Sequence, residues 1–229
     1  MTSEFDKYSQ SYSEDIDKVI GVFGQKHDFF IRAKADLLRP ILASLGDASQ
    51  LRILDVGCGV GLLHPYLVDA VGQLEGADVS SESLKIARSK NPRVRYSAYD
   101  GEALPYPAAS FDCAFAVAVM HHVPPAQWTG FLSEMRRVVR PGGLVVIIEH
   151  NPFNPATRWV VSHAPMDEHA VLLSARQLDA LMRSAGILRR STRYIMLTPF
   201  AGKIFRFLDR LLARLPLGAQ YVTIGKIRS

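Results

Sequence analysis

Hydrophobic positions change their period near residue 51. Before it, Phe29, Phe30, Ala33, Leu37, Leu38, Ile41, Leu42 and Leu45 recur at helical spacing. They predict a helix over 28–45, stopped by Gly46 and Asp47, and a further helical piece precedes it within residues 1–46. Beyond it, short β-rich runs alternate with helical stretches. Strands are predicted at 51–56, 74–79, 94–98, 111–119 and 144–149, and helices at 62–70, 81–89 and 126–139. The third strand is followed by a loop with a short turn near Glu102. Pro124 and Pro125 suit the first turn of the third of these helices. Arg140-Pro141-Gly142-Gly143 reads as a helix stop and turn before the fifth strand. The run 111–119 is apolar throughout, as in a strand buried on both faces. Such alternation predicts an α/β fold, a Rossmann-like doubly wound sheet with helices on both faces.

Past Glu149 the alternation weakens. Residues 150–173 read as an irregular insertion containing His and Pro. Ser174 and Gln177 predict a capping box for a helix to about Ala185, with Gly186 as its C-cap. Strands at 187–197 and 221–227 flank a helix at about 200–215.

Composition sharpens the class. The chain has 229 residues, 48% hydrophobic and 21% charged, which excludes a mostly disordered chain. Its net charge of +5 first suggests nucleic acid, anionic lipid or a phosphorylated ligand. Residues 1–182, however, carry a net −4 and residues 183–229 a net +9, so the charge belongs to the C-terminal end and nucleic acid is not expected. Cys58 and Cys113 form no CxxC pair and read as reduced, buried thiols of a cytoplasmic protein. The polar, acidic N-terminus has no secretion-signal core, and no apolar run approaches the ~20 residues of a membrane span.

The candidate chemistry begins at Leu54-Asp55-Val56-Gly57-Cys58-Gly59-Val60-Gly61. An apolar strand enters this loop and a helix leaves it. Gly57 and Gly59 permit positive φ and close approach of a ligand to the backbone. Alone, such a turn could serve a dinucleotide, another nucleoside or no ligand. Asp78 closes the second strand 21 residues after Gly57, where an acid meets a ribose diol in doubly wound folds. Asp100, followed by Gly101, closes the third. Three strand-end acids and a glycine loop therefore share the carboxyl edge of the sheet. The loop lacks the third glycine of GxGxxG, with Leu62 in its place, and no Walker lysine follows, which disfavours NAD and nucleotide triphosphates.

LDVGCGVG, followed in order by GADVS, YDGEALPY, FDCAFAVAVMHHV and RRVVRPGGLVVIIEH, resembles the class I S-adenosylmethionine-dependent methyltransferases over about residues 51–150. The opening FDKYSQSYSED is similar to the N-terminal lid of small-molecule members. The resemblance implies a seven-stranded sheet whose last strand is antiparallel, a helical lid over 1–46, and a methyltransferase domain over 47–229 with insertions at 150–173 and 200–216. It implies S-adenosyl-L-methionine as cofactor. Asp55, Gly57 and Gly59 would lie under its methionine part. Asp78 would bond the ribose and Val79 would pack on adenine. Asp100 and Gly101 would meet the adenine edge, Ala118 would line the methionine end, and Tyr12 would close over it from the lid.

Transfer to O or N requires orientation, and a base if the acceptor must lose a proton. His121, His122, Glu149 and His150, at the ends of the fourth and fifth strands, are the candidates. Asn151-Pro152-Phe153 lacks the second proline of the amide- and adenine-methylating motif and reads as loop structure. His150, His163, Asp167, Glu168 and His169 match no metal-ligand spacing, so no metal is expected.

On a helix over 203–215, Lys203, Arg206, Arg210 and Arg214 share one arc beside a broad apolar face. Such a helix either packs on the core with a solvated basic face or lies in a membrane interface. It is expected to flank the acceptor entrance and to favour an anionic or lipid-linked acceptor. The leading expectation is methyl transfer to a small or lipid-linked molecule. An RNA methyltransferase and a non-catalytic S-adenosylmethionine-binding protein are the alternatives.

Overall fold

The structure, a computed structural model, describes residues 6, 7, 9, 12–198 and 211–228. Helices α1 (Tyr12–Ile20) and α2 (His27–Ala43) precede the sheet. Then follow β1 (Arg52–Val56), α3 (His64–Leu67), β2 (Gln73–Asp78), α4 (Ser81–Lys90), β3 (Arg95–Ala98) and β4 (Phe111–Val117). The rest comprises α5 (Trp128–Val138), β5 (Val139–His150), α6 (Pro155–His163), α7 (Ala175–Ser184), β6 (Ile187–Ile195) and β7 (Gln220–Ile227).

The seven strands lie in the order β3-β2-β1-β4-β5-β7-β6. Strands β1 to β5 pair in parallel, whereas β7 is antiparallel to both β5 and β6. The order reverses between β1 and β4, opening a crevice at their carboxyl ends where doubly wound folds bind ligands.

Strand alternation explains the layering, because successive side chains leave opposite faces. Cys113, Phe115, Leu144, Val146 and Ile148 pack under α2, α3 and α4, against Leu38, Leu67 and Leu84. Ala114, Ala116, Val145 and Ile147 face the other way and meet Phe131 and Leu132 of α5 and Leu178 and Met182 of α7. Both faces of β4 and β5 are thus covered, as their unbroken apolar runs require. The Ser174–Gln177 capping box of α7 is present, and Gly186 takes φ +75° just past the helix.

Three expectations are corrected. Strand β4 ends two residues before Val119, because Ala118 turns to φ +57°. The turn expected at residues 140–143 is the first part of β5, which begins at Val139 and absorbs the misfit as a register shift between Phe111 and Cys113. The insertion 150–173 is not irregular throughout. Pro155 occupies the first turn of α6, and the Asn154 side chain accepts from Thr157 N–H at 3.0 Å.

Asn151 is buried and ties this insertion to the segment before β7. Its Nδ2 donates to the Pro216 and Gly218 carbonyls. Of the expected helix at 200–215, residues 200–210 lie outside the described residues, and residues 212–219 form turns and bends. No helix among the described residues is long and apolar enough to cross a membrane.

Candidate functional site

A cavity of about 310 Å³ opens at the carboxyl edge of β1, β2 and β4. Its floor is the loop after β1. Gly57 N–H and Cys58 N–H both donate to the Ala77 carbonyl, which holds the loop against β2. Gly57 takes φ +75°, and a Cβ there would meet Val119 Cγ2 at 2.6 Å. Gly59 takes φ +51°, and a Cβ there would meet nothing within 4 Å, so it borders open space.

Asp55, Gly57, Cys58, Gly59, Asp78, Val79, Gly101 and Ala118 all line this cavity. Asp55 is buried. Its Oδ2 lies 3.0 Å from His64 Nε2, and His64 Nδ1 lies 2.6 Å from the Tyr96 hydroxyl. Burial pushes the Asp55 carboxyl up, against the pull of His64.

Asp78 braces the loop. Its Oδ2 accepts from Gly59 N–H at 2.7 Å and its Oδ1 from Ser80 N–H at 2.8 Å. Burial raises its pKa, while those two N–H donors work in the opposite direction. A carboxylate has about four lone-pair sites, so two hydrogen bonds leave acceptor capacity on both oxygens. Asp100 is exposed and does not line the cavity. Its Oδ1 accepts from the Ala103 and Glu102 N–H groups, which hold its pKa below the usual range. Ala118 is a non-glycine residue in the left-handed region at the cavity wall, a costly conformation held by its N–H bond to the Ile148 carbonyl. Tyr12 opens α1, but its side chain lies outside the description.

The four candidate bases separate. His122 lines the cavity, whereas His121, Glu149 and His150 pack behind its wall. Glu149, 1% exposed, is a brace. It accepts from Val119 N–H, Met120 N–H and His121 Nδ1 at 2.7–2.9 Å. Burial pushes its carboxyl up, but His121 and His150 outweigh burial and hold it at about 2. His121 is the counterpart. Burial lowers its pKa, yet Glu149 and Asp167 hold it up at about 9. Burial first, and then the His121 charge, lower His122 to about 4 and His150 to about 3.

One cavity residue escaped the sequence reading, and the contacts of a second residue, Asp167, did too. Lys34 of α2 lines the cavity and is 6% exposed. No hydrogen-bond or ion-pair partner reaches it among the described residues. Burial lowers its pKa to about 8, with Glu149 opposing. The available signal was a lysine within the apolar stripe of Phe30, Leu37, Leu38 and Ile41. The second is Asp167, which stands 3.5 Å from His121 Nε2 and 3.3 Å from His122 Nε2. His163, Glu168 and His169, grouped with it by sequence proximity, are exposed.

Residues 54–147 match a family model described as a methyltransferase domain. The malonyl-[acyl-carrier protein] O-methyltransferase of Pseudescherichia vulneris is 38% identical over 118 residues, covering 50% of this chain and 43% of that protein. A phthiotriol/phenolphthiotriol dimycocerosates methyltransferase of Mycobacterium leprae is 31% identical over 136 residues, covering 58% and 49%. The chain spans about half the length of the curated relatives it matches.

Among solved structures, a methyltransferase in complex with the Haloferax volcanii Trm112 activator aligns over 100% of both chains, with TM-score 0.69 and 20% identity. A Thermotoga maritima S-adenosylmethionine-dependent methyltransferase aligns over 97% of both, with TM-score 0.67 and 19% identity. These likenesses establish the fold.

Proposed function

We propose that this chain, whose residues 54–147 match a methyltransferase-domain model, is a class I S-adenosylmethionine-dependent methyltransferase that carries a methyl group from S-adenosyl-L-methionine to a small or lipid-linked acceptor, at oxygen or nitrogen. The observation that carries this reading is the cavity floor. There Gly59 faces open space while its N–H is tied to the strand-end carboxylate of Asp78. Such a floor fits a nucleoside with a cationic arm better than a pyrophosphate, because carboxylates, not a phosphate nest, line it.

When bound, S-adenosylmethionine supplies an electrophilic methyl group on a sulfonium. The chain's own residues then bind and orient. Asp78 uses its remaining lone pairs for the ribose hydroxyls, and Val79 packs on adenine, with Gly101 at the adenine edge and Asp100, outside the cavity, holding the turn that follows Gly101. Asp55, already fixed by His64, keeps negative charge near the methionine arm. Lys34 is a buried cation, and a buried charge needs a counter-charge. It takes the methionine carboxylate. Ala118 shapes the wall at the methyl-bearing end.

His122 faces the acceptor. A group held near 4 is neutral at pH 7 and a weak base, so it orients the nucleophile more than it deprotonates it. That favours acceptors whose nucleophile needs little help to lose a proton. The names of relatives support a carrier- or lipid-linked acceptor, since they refer to an acyl-carrier protein, dimycocerosates and a phytyl hydroquinone.

The test is release of S-adenosylhomocysteine on a panel of carboxylated acyl carriers, quinols, lipid-linked phenols and short RNAs. Turnover with a carrier- or lipid-linked member is expected. Turnover on RNA alone would move the protein to the RNA class, and cofactor binding without turnover on any acceptor would favour a binding protein.

A further inference from the structure

The cluster behind the cavity wall contains more than a base would need. His121 follows β4, His150 ends β5, and Asp167 comes from the insertion after α6. Each offers one ligand atom, and these atoms lie within 4.8 Å of one another. The three sites are far apart in sequence, so their convergence is a product of the fold.

The supports of this cluster orient it. Glu149 Oε2 lies 2.7 Å from His121 Nδ1. That bond keeps a proton on Nδ1 and turns Nε2 toward Asp167 Oδ1, 3.5 Å away, where a bound ion would take the place of the Nε2 proton. A separation of 3.5 Å is long for a hydrogen bond. It is close to the ligand–ligand edge, about 3.4 Å, of a tetrahedral ion with bonds of about 2.0–2.1 Å. His122 Nε2 lies 3.3 Å from the same oxygen. A carboxylate behind a histidine is the support that metal-bound imidazoles require.

A second observation points the same way. The amide of Gln220 stands beside His150, with Nε2 at 3.4 Å from Nδ1, while its buried Oε1 has no partner. As placed, the amide N–H donates to Nδ1; in the reversed orientation Oε1 would accept from His150 Nδ1–H, which leaves the Nε2 lone pair of His150 for an ion.

We propose that His121, His150 and Asp167 bind a divalent transition-metal ion of the Zn²⁺ type, supported by Glu149 behind His121 and Gln220 behind His150. Two imidazoles and one carboxylate suit such an ion better than Mg²⁺ or Ca²⁺, which prefer all-oxygen sites. Three protein ligands leave a further position for water or His122. The ion ties the loop after β4, the end of β5 and the insertion into one unit. His122 and Met166, the neighbours in sequence of two of its ligands, line the cavity. Metal loading therefore fixes the acceptor-side wall.

The proposal is independent of methyl transfer, because metal content is read without cofactor or acceptor. The tag-free full chain is incubated with Zn²⁺, desalted and analysed by elemental mass spectrometry. About one equivalent per chain is expected in the wild type, lost to a strong chelator. Asp167→Asn and His150→Gln should retain less than about a tenth of it. Glu149→Gln should weaken binding about 10–100-fold. His163→Gln, an exposed histidine of the same insertion, should bind like the wild type. Co²⁺ loading should give visible bands in the wild type and none in Asp167→Asn. Circular dichroism confirms that each variant scored is folded. A folded wild type that retains no metal would overturn the site. So would Asp167→Asn and His150→Gln proteins that retain it fully, or a His163→Gln protein that loses it equally.

Discussion

The Asp78 carboxylate holds the Gly59 and Ser80 N–H groups, and in the proposed site its remaining lone pairs would take the ribose hydroxyls. Asp78→Ala should weaken S-adenosylhomocysteine binding by roughly 1.5–3 kcal/mol, the worth of hydrogen bonds to a charged group, as read by calorimetry. An unchanged dissociation constant removes the ribose role. Lys34 makes a prediction with a sign. With its pKa lowered to about 8, it is a cation below that pH and loses its charge above it. Affinity for S-adenosylhomocysteine should fall as pH rises through about 8, and Lys34→Met should cost about 1.5–3 kcal/mol at neutral pH and reduce that dependence. Methylthioadenosine, which lacks the carboxylate, should show no such difference between the two proteins. Asp78 was legible in the sequence because a strand-end acid after a glycine loop is a local pattern. Lys34 was not, since its meaning lies in what it faces across the cavity, and within α2 it reads only as a break in an apolar stripe.

At the level of elements, Glu149 shows how the wall is built. One side chain at the end of β5 accepts from two backbone N–H groups of the loop after β4 and from His121. Leaving buried donors unpaired is expensive, so Glu149→Ala should lower unfolding free energy by about 3–5 kcal/mol in urea titrations. Glu149→Gln keeps an acceptor and should cost less; equal losses would contradict the brace. The bracing role was not legible in the sequence, because these contacts join residues about 30 positions apart. Strand periodicity was readable wherever both faces are apolar, as in β4. The start of β5 was not, because Pro141-Gly142-Gly143 carries turn chemistry and a bulge against β4 absorbs it. Helix α6 had its signal in Asn154-Pro155, a cap followed by a first-turn proline, within an insertion whose other prolines suggested a loop.

For the whole molecule, charge is partitioned. The net −4 body contains the cavity, and the net +9 end includes β6, β7 and the segment between them. Strand β6 is parallel to β1–β5, so that segment leaves from the carboxyl edge of the sheet, on the side of the cavity. Buried histidines set the pH response of the metal-free chain. His27 and His122 are held at about 4 and His150 at about 3, burial being the largest cause in each. The unfolded chain protonates these groups near pH 6.5, so their contribution is complete above about 6.5 and is lost as pH falls toward about 4. His121, held at about 9, has the opposite sign: its contribution is complete below about 6.5 and is lost as pH rises through about 9. The urea midpoint of the metal-free chain should therefore peak near pH 6.5 or about 7 and fall on both sides; a flat profile from about pH 5 to about 9 would contradict this burial pattern.

The central claim is that the cavity floored by Gly57 and Gly59 and lined by Asp78 is an S-adenosylmethionine site. Calorimetric titration with S-adenosylhomocysteine, with NAD as comparator, tests it most directly. Saturable one-to-one binding of S-adenosylhomocysteine, weakened in Asp78→Ala, and no heat from NAD are predicted. No binding of S-adenosylhomocysteine by the folded wild-type chain, or saturable binding of NAD in its place, would contradict the account.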